Sequence, residues 1–137
     1  MTKVFLDTDI ILNFLGDRKP FSQAAIAIFL AAYNKQIALH TSANSITTAY
    51  YILSKLTSEK HARELITGLL EHIAIIPVRH STLKNAFTSS VKDVEDSVQY
   101  YTASTISDMH CIITRNVKDY KKSTLNVITS DEFIKTF

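Results

Sequence analysis

Several residue types that usually betray an active site are scarce in this chain. It has two glycines, two prolines, one cysteine and no tryptophan. Gly16 and Gly68 stand alone, so there is no glycine-rich loop to cradle a phosphate and no glycine-flanked nucleophile turn. No linker, repeat or low-complexity stretch interrupts residues 1–137, which read as one continuously structured domain. A single cysteine, Cys111, excludes a disulfide framework and points to a cytoplasmic setting. The five histidines never fall at the four-residue spacing of a helical zinc site. A net charge of +2 is too small to argue for nucleic acid by bulk electrostatics, so any such contact must come from a local patch. No apolar stretch reaches the length of a membrane span, and the apolar run ending at Asp7 is too short for a signal peptide.

What the chain does contain is alternation. Short, mostly β-branched apolar runs at 4–6, 37–39, 73–76, 111–113 and 126–128 predict buried strands. Between them lie segments of helical period: 21–34, a stretch in which Ile46, Ala49, Tyr50, Leu53 and Leu56 share a face, then 59–71, 81–90 and 94–107. Thr129 followed by Glu132 is a capping-box signal for a last short helix. Strands alternating with helices predict an α/β domain with a parallel sheet covered on both faces, whose site lies beyond the carboxyl ends of the strands.

Acidic residues gather where that rule points. The first strand ends in Asp7-Thr8-Asp9, and the fourth ends in Thr114-Arg115-Asn116 with Asp119 close behind. Asp93-Val94-Glu95-Asp96 opens the helix before that fourth strand, with Asp93 and Asp96 on one helical face. Converging carboxylates repel one another, and a hard divalent cation neutralises them while activating water for attack on a phosphodiester. Each acid also has an ordinary structural use. Asp7 suits a helix N-cap, as does Asp93, while Asp9 suits a first helical turn. Glu95, off the Asp93–Asp96 face, suits a solvated first turn, and Asp119 suits a surface ion pair in its lysine-rich loop. Arg115, Lys118, Lys121 and Lys122 form a basic cluster that would hold phosphates or, equally, remain a solvated loop.

The sequence Val4-Phe5-Leu6-Asp7-Thr8-Asp9 resembles the opening of PIN domains. Asp96, with Ala103 seven residues on, resembles their third acidic motif, and Ile113-Thr114-Arg115-Asn116 running to Asp119-Tyr120 resembles their closing motif. Asp17-Arg18-Lys19-Pro20-Phe21 is similar to a segment of a bacterial subgroup. The resemblance runs through essentially the whole chain in order. It implies a three-layer α/β/α sandwich around a parallel sheet of about five strands, and a magnesium- or manganese-dependent ribonuclease of the VapC-like toxin kind. It also implies a cognate antitoxin and a homodimer. Asp7, Asp96 and Asp119 would then be metal ligands, with Asn116 beside them, and Thr114 would orient the closing loop through its hydroxyl.

One departure stands out. The family usually carries a glutamate on the helix after the second strand; that position is Thr48 here, and no acid occurs from residue 38 to residue 58. Glu95 or Asp93 would have to compensate. Two alternatives follow. One is a degenerate PIN domain that binds RNA or protein without cutting. The other is a haloacid-dehalogenase-type phosphatase, which an apolar strand ending in Asp-x-Asp also resembles.

Overall fold

The computed structural model describes residues 1–120 and 123–136. Among them are five strands: β1 (Thr2–Leu6), β2 (Ile37–Ser42), β3 (Ala74–Ile76), β4 (Met109–Ile113) and β5 (Asn126–Ile128). Every pairing is parallel, in the spatial order β3-β2-β1-β4-β5. The helices are α1 (Thr8–Leu15), α2 (Ser22–Tyr33), α3 (Ala43–Leu56), α4 (Glu59–Leu70), α5 (His80–Thr88), α6 (Val94–Ser104) and α7 (Ser130–Ile134). A 3-10 turn spans Val117–Tyr120. All five expected strands are present, and the expected helices agree to within a few residues at their ends.

β1 lies at the centre, and its alternating side chains divide the core in two. Val4 and Leu6 face a large cluster built with Ile11, Ala25, Ile28, Ala49, Leu53 and Ile66, which come from α1 to α4. Phe5 faces the other way, against Ile112, Met109, Ala103 and Tyr120 on the side of α6. The sheet is therefore the middle layer of a three-layer sandwich, and its strands read as unbroken apolar runs because both faces are covered.

Helix α1 has no counterpart among the periodic segments of the sequence. It is only eight residues long, about two turns, too short for a periodic pattern to stand out, and Ile10, Ile11, Leu12 and even Asn13 are buried. It starts directly at the end of β1, with Asp7 as N-cap, and stops at Gly16. A side chain at Gly16 would bring its Cβ within 2.8 Å of the Leu12 carbonyl oxygen, so this turn requires glycine.

The chain leaves β1 for β2 and β3 on one side, then returns to place β4 on the other. This reversal opens a crevice beyond the carboxyl ends of β1 and β4. Asp7, the residue after β1, sits there and is anchored to β4 by its own N–H, which donates to the Ile113 carbonyl at 3.0 Å.

Candidate active site

Asp7 is 6% exposed, and its carboxylate accepts four hydrogen bonds. Oδ1 accepts from the Thr8 N–H at 2.8 Å and from Gln99 Nε2 at 3.3 Å. Oδ2 accepts from Thr114 Oγ1 at 2.8 Å and from the Tyr120 hydroxyl at 3.0 Å. Two donors on each oxygen match the lone-pair capacity of a carboxylate. The N-cap reading of Asp7 is thus realised, since the Thr8 N–H is its cap bond, but it accounts for only one of the four.

Two of those donors come from the loop after β4. Thr114 is fully buried, and its hydroxyl also accepts from the Asn116 N–H at 3.2 Å, which fixes the turn that follows. The Asp119 N–H donates to the Asn116 carbonyl at 3.0 Å, closing the 3-10 turn that carries Asp119 to the rim and Tyr120 inward. Burial, together with the charges of Asp7 and Asp96, pushes the Tyr120 phenol far above its ordinary value. It therefore stays protonated and keeps its donor role.

The third donor, Gln99 of α6, belongs to a buried network on the α3 side of Asp7. Its Oε1 accepts from Ser42 Oγ at 2.5 Å. Its Nε2 also reaches Thr8 Oγ1 at 3.3 Å and Ser45 Oγ at close range. Thr8 Oγ1 donates to Ser45 Oγ at 2.9 Å, and Ser42 caps α3 by accepting from the Ser45 N–H at 3.0 Å. Thr8, Ser42, Ser45 and Gln99 are all buried, and none carries charge. Thr48, half-buried and one turn beyond Ser45 on α3, adds no carboxylate to this side.

On the opposite side the acids crowd together. Burial, followed by the charges of Asp7 and Asp93 and a carboxyl interaction with Asp119, pushes Asp96 up to about 8. Burial, then Asp7 and Asp93, also raises Glu95. Glu95 is exposed in the first turn of α6, as its reading as a solvated acid expected, and it also lies one turn before Gln99 and within the field of Asp7. Asp93 is the N-cap of α6, accepting from the Asp96 N–H at 3.1 Å, as its structural reading expected. Asp9 is pushed up to about 6 by burial and by Asp7. One of its oxygens accepts from the Arg115 N–H at 3.2 Å, and the other is buried without a partner.

The charged donors here are carboxylate oxygens, a set that suits magnesium or manganese better than zinc or copper. Among the described residues no three acidic, histidine or cysteine side chains close on one point as they stand. The electrostatics nevertheless fit a cation: burial first, then the charges of Asp7, Asp93 and Asp119, raise the Asp96 carboxyl, and a bound cation would offset both. Cys111 offers no rival chemistry, because burial pushes its thiol up to about 12 and keeps it protonated.

Of the basic cluster, Arg115 and Lys118 are exposed at the rim, with the Arg115 guanidinium 4.6 Å from the centre of the Phe21 ring. Lys121 and Lys122 lie outside the described residues. Ser42, Ser45, Thr8, Gln99 and Tyr120 are the site residues that sequence reasoning missed. The signal that pointed to Gln99 was its spacing, three residues after Asp96 and four after Glu95 on one helix.

A parallel, doubly wound domain with carboxylates at its topological switch point defines a class of acidic-site α/β proteins. The PIN domain model matches residues 3–118, and the chain belongs to the PIN domain family. It is 31% identical over 141 residues to Ribonuclease VapC1 of Aquifex aeolicus, spanning 96% of this chain and 92% of that protein. Among solved structures it is similar to the DNA-bound VapBC of Salmonella typhimurium, at a TM-score of 0.72 and 12% identity over 95% of this chain and 99% of that one. It is also similar to VapBC2 of Rickettsia felis bound to a promoter DNA fragment, at a TM-score of 0.70 and 14% identity over 93% and 98% of the two chains. A third is Mycobacterium tuberculosis VapC20, a toxin that cleaves the sarcin-ricin loop, at 0.66 and 11% over 80% and 86%.

Proposed function

We propose that this chain is a divalent-metal-dependent ribonuclease acting as the toxin of a toxin–antitoxin pair. The observation that carries the reading is the raised Asp96 carboxyl, facing Asp7 and Asp119 at the sheet's switch point. The curated relative that matches nearly the whole chain is a ribonuclease, which supports the same reading. Magnesium or manganese held there by Asp96 and Asp119, with Asp7 and Glu95 beside them, would activate water and offset charge on the phosphodiester.

The chain's own groups have separable tasks. Asp7 supplies a fixed buried charge, held by Thr114 and Tyr120 on one oxygen and by Thr8 and Gln99 on the other. Asp96 and Asp119 supply oxygen atoms at the open side, where Asn116 starts the turn that presents Asp119. Arg115 and Lys118, with Lys121 and Lys122, would hold flanking phosphates.

An antitoxin is the proposed partner because the related structures are toxin–antitoxin assemblies. A groove of about 410 Å³ lined by Phe14, Ile26, Leu30, Tyr33, Leu65 and Leu69 offers it an apolar bed between α2 and α4. Leu83 and Phe87, exposed one turn apart on α5, are a surface that a second copy would cover in a homodimer.

Both oxygens of Asp7 are engaged in hydrogen bonds, which disfavours it as the free nucleophile of a haloacid-dehalogenase-type phosphatase. The test of the main reading is cleavage of structured RNA with magnesium or manganese against EDTA, in wild type and Asp96→Asn. Metal-dependent cleavage that disappears in the variant is the expected result. No cleavage by wild type across several RNAs and both ions would leave a PIN domain that binds without cutting.

A further inference from the structure

We propose that Gln99 is the positioning residue of Asp7, and that its amide closes the α3 side of the site to cations. The inference rests on the proposed nuclease reading for its consequence but on hydrogen bonding alone for its geometry.

The amide has only one orientation that satisfies its surroundings. Ser42 is fully buried, and its hydroxyl donates to Gln99 Oε1. The Gln99 NH₂ group therefore faces the Asp7 carboxylate, Thr8 Oγ1 and Ser45 Oγ, all of which can accept. A reversed amide would set Oε1 against a carboxylate oxygen, a repulsive contact between two acceptors. Ser42 is itself fixed as the N-cap of α3, so the first turn of α3 is wired through one side chain of α6 to the residue that ends β1.

The result is an asymmetric environment for Asp7. Toward α3 it meets a neutral donor backed by hydroxyls that are already bonded to one another, with no carboxylate among them to ligate an ion. Toward α6 and the 3-10 turn it meets acids. Gln99 thus holds the carboxylate in place and directs any cation to the Asp96 and Asp119 side. Its Nε2 bond, at 3.3 Å, is the longest of the four on Asp7.

The test uses Gln99→Glu, Gln99→Leu, Asp7→Asn and the two double variants, read first by thermal unfolding in EDTA. Gln99→Glu sets a second carboxylate against Asp7 and should lower the melting temperature by roughly 5 °C or more. Adding Asp7→Asn restores an amide–carboxylate pair and should recover most of that loss, whereas Asp7→Asn should not rescue Gln99→Leu. A residue that merely filled space would show no such difference, and equal effects of Asp7→Asn in both backgrounds would overturn the positioning role.

The second readout is manganese binding by calorimetry. Gln99→Glu should bind about tenfold tighter than wild type, and unchanged affinity would overturn the closure of the α3 side. Absence of binding by both proteins, with the rescue intact, would remove the metal from the proposed function and overturn the closure while the positioning role stands. In RNA cleavage, Gln99→Leu should lower kcat with little change in KM; a change in KM alone would contradict positioning.

Discussion

The two sides of Asp7 differ in how completely they are satisfied. Toward α3 every polar group has a partner: Gln99, Ser42, Ser45 and Thr8 form a closed, neutral set. Toward the start of α6 and the 3-10 turn, Asp96, Glu95 and Asp119 gather negative charge, and burial together with that charge raises the Asp96 carboxyl to about 8. A satisfied buried network rigidifies, whereas an unsatisfied cluster of charge stores electrostatic cost that a ligand can relieve. One side of the residue is scaffold and the other is where chemistry is set up.

The sharpest way to break this comparison is to remove charge from the open side. Asp96→Asn should reduce metal-dependent RNA cleavage by roughly a hundredfold or more, since its oxygen and charge are used in the reaction. The same variant should unfold at a higher temperature than wild type in EDTA at pH 8, because one repelling charge is gone. Activity and stability moving in opposite directions is the signature of the open side; a loss of both would mean that Asp96 is structural.

Removing a donor from Asp7 itself should cost stability directly. Thr114→Val deletes a hydroxyl that donates to Asp7 and accepts from the Asn116 N–H, and should destabilise by about 1–3 kcal/mol in urea denaturation. Tyr120→Phe removes only the donation to Asp7 and should cost the lower part of that range, about 1 kcal/mol. If either variant matched wild type, the four-donor clamp would not be what holds Asp7.

The smallest effect belongs to the rim. Arg115→Ala should weaken RNA binding only a few-fold and reduce its salt dependence by about one phosphate contact in a binding titration. An unchanged salt slope would assign Arg115 to packing on Phe21 instead.

The legible parts of the fold were those with local signals. β1 and β4 were readable because a strand buried on both faces is a plain apolar run, and α7 because Thr129 and Glu132 form its cap. Helix α1 was not, because a helix of about two turns is too short for its period to identify it. The carboxylates Asp7, Asp96 and Asp119 were legible as candidates because strand ends and helix starts place them, while Glu95 stayed open between a solvated acid and a compensating ligand until the fold set it in the field of Asp7. Gln99 was not found because its partners lie 92, 57 and 54 residues away, just after β1, on β2 and on α3. Helical spacing puts Gln99 on the face of Asp96 and Glu95, but a neutral amide carries no signature of its role, which only the tertiary fold supplies.

The most direct test of the asymmetry is the melting temperature in EDTA from pH 5 to pH 9, for wild type and Asp96→Asn. An acid whose proton is held more tightly in the folded than in the unfolded chain stabilises the fold at low pH. That contribution is lost as pH rises from the ordinary value of 3.8 through about 8. Wild type should therefore lose stability across this range, Asp96→Asn should show a much flatter curve, and manganese should restore the wild type at the alkaline end. A wild-type curve that is flat or rising up to pH 8, or one that Asp96→Asn leaves unchanged, would contradict the account.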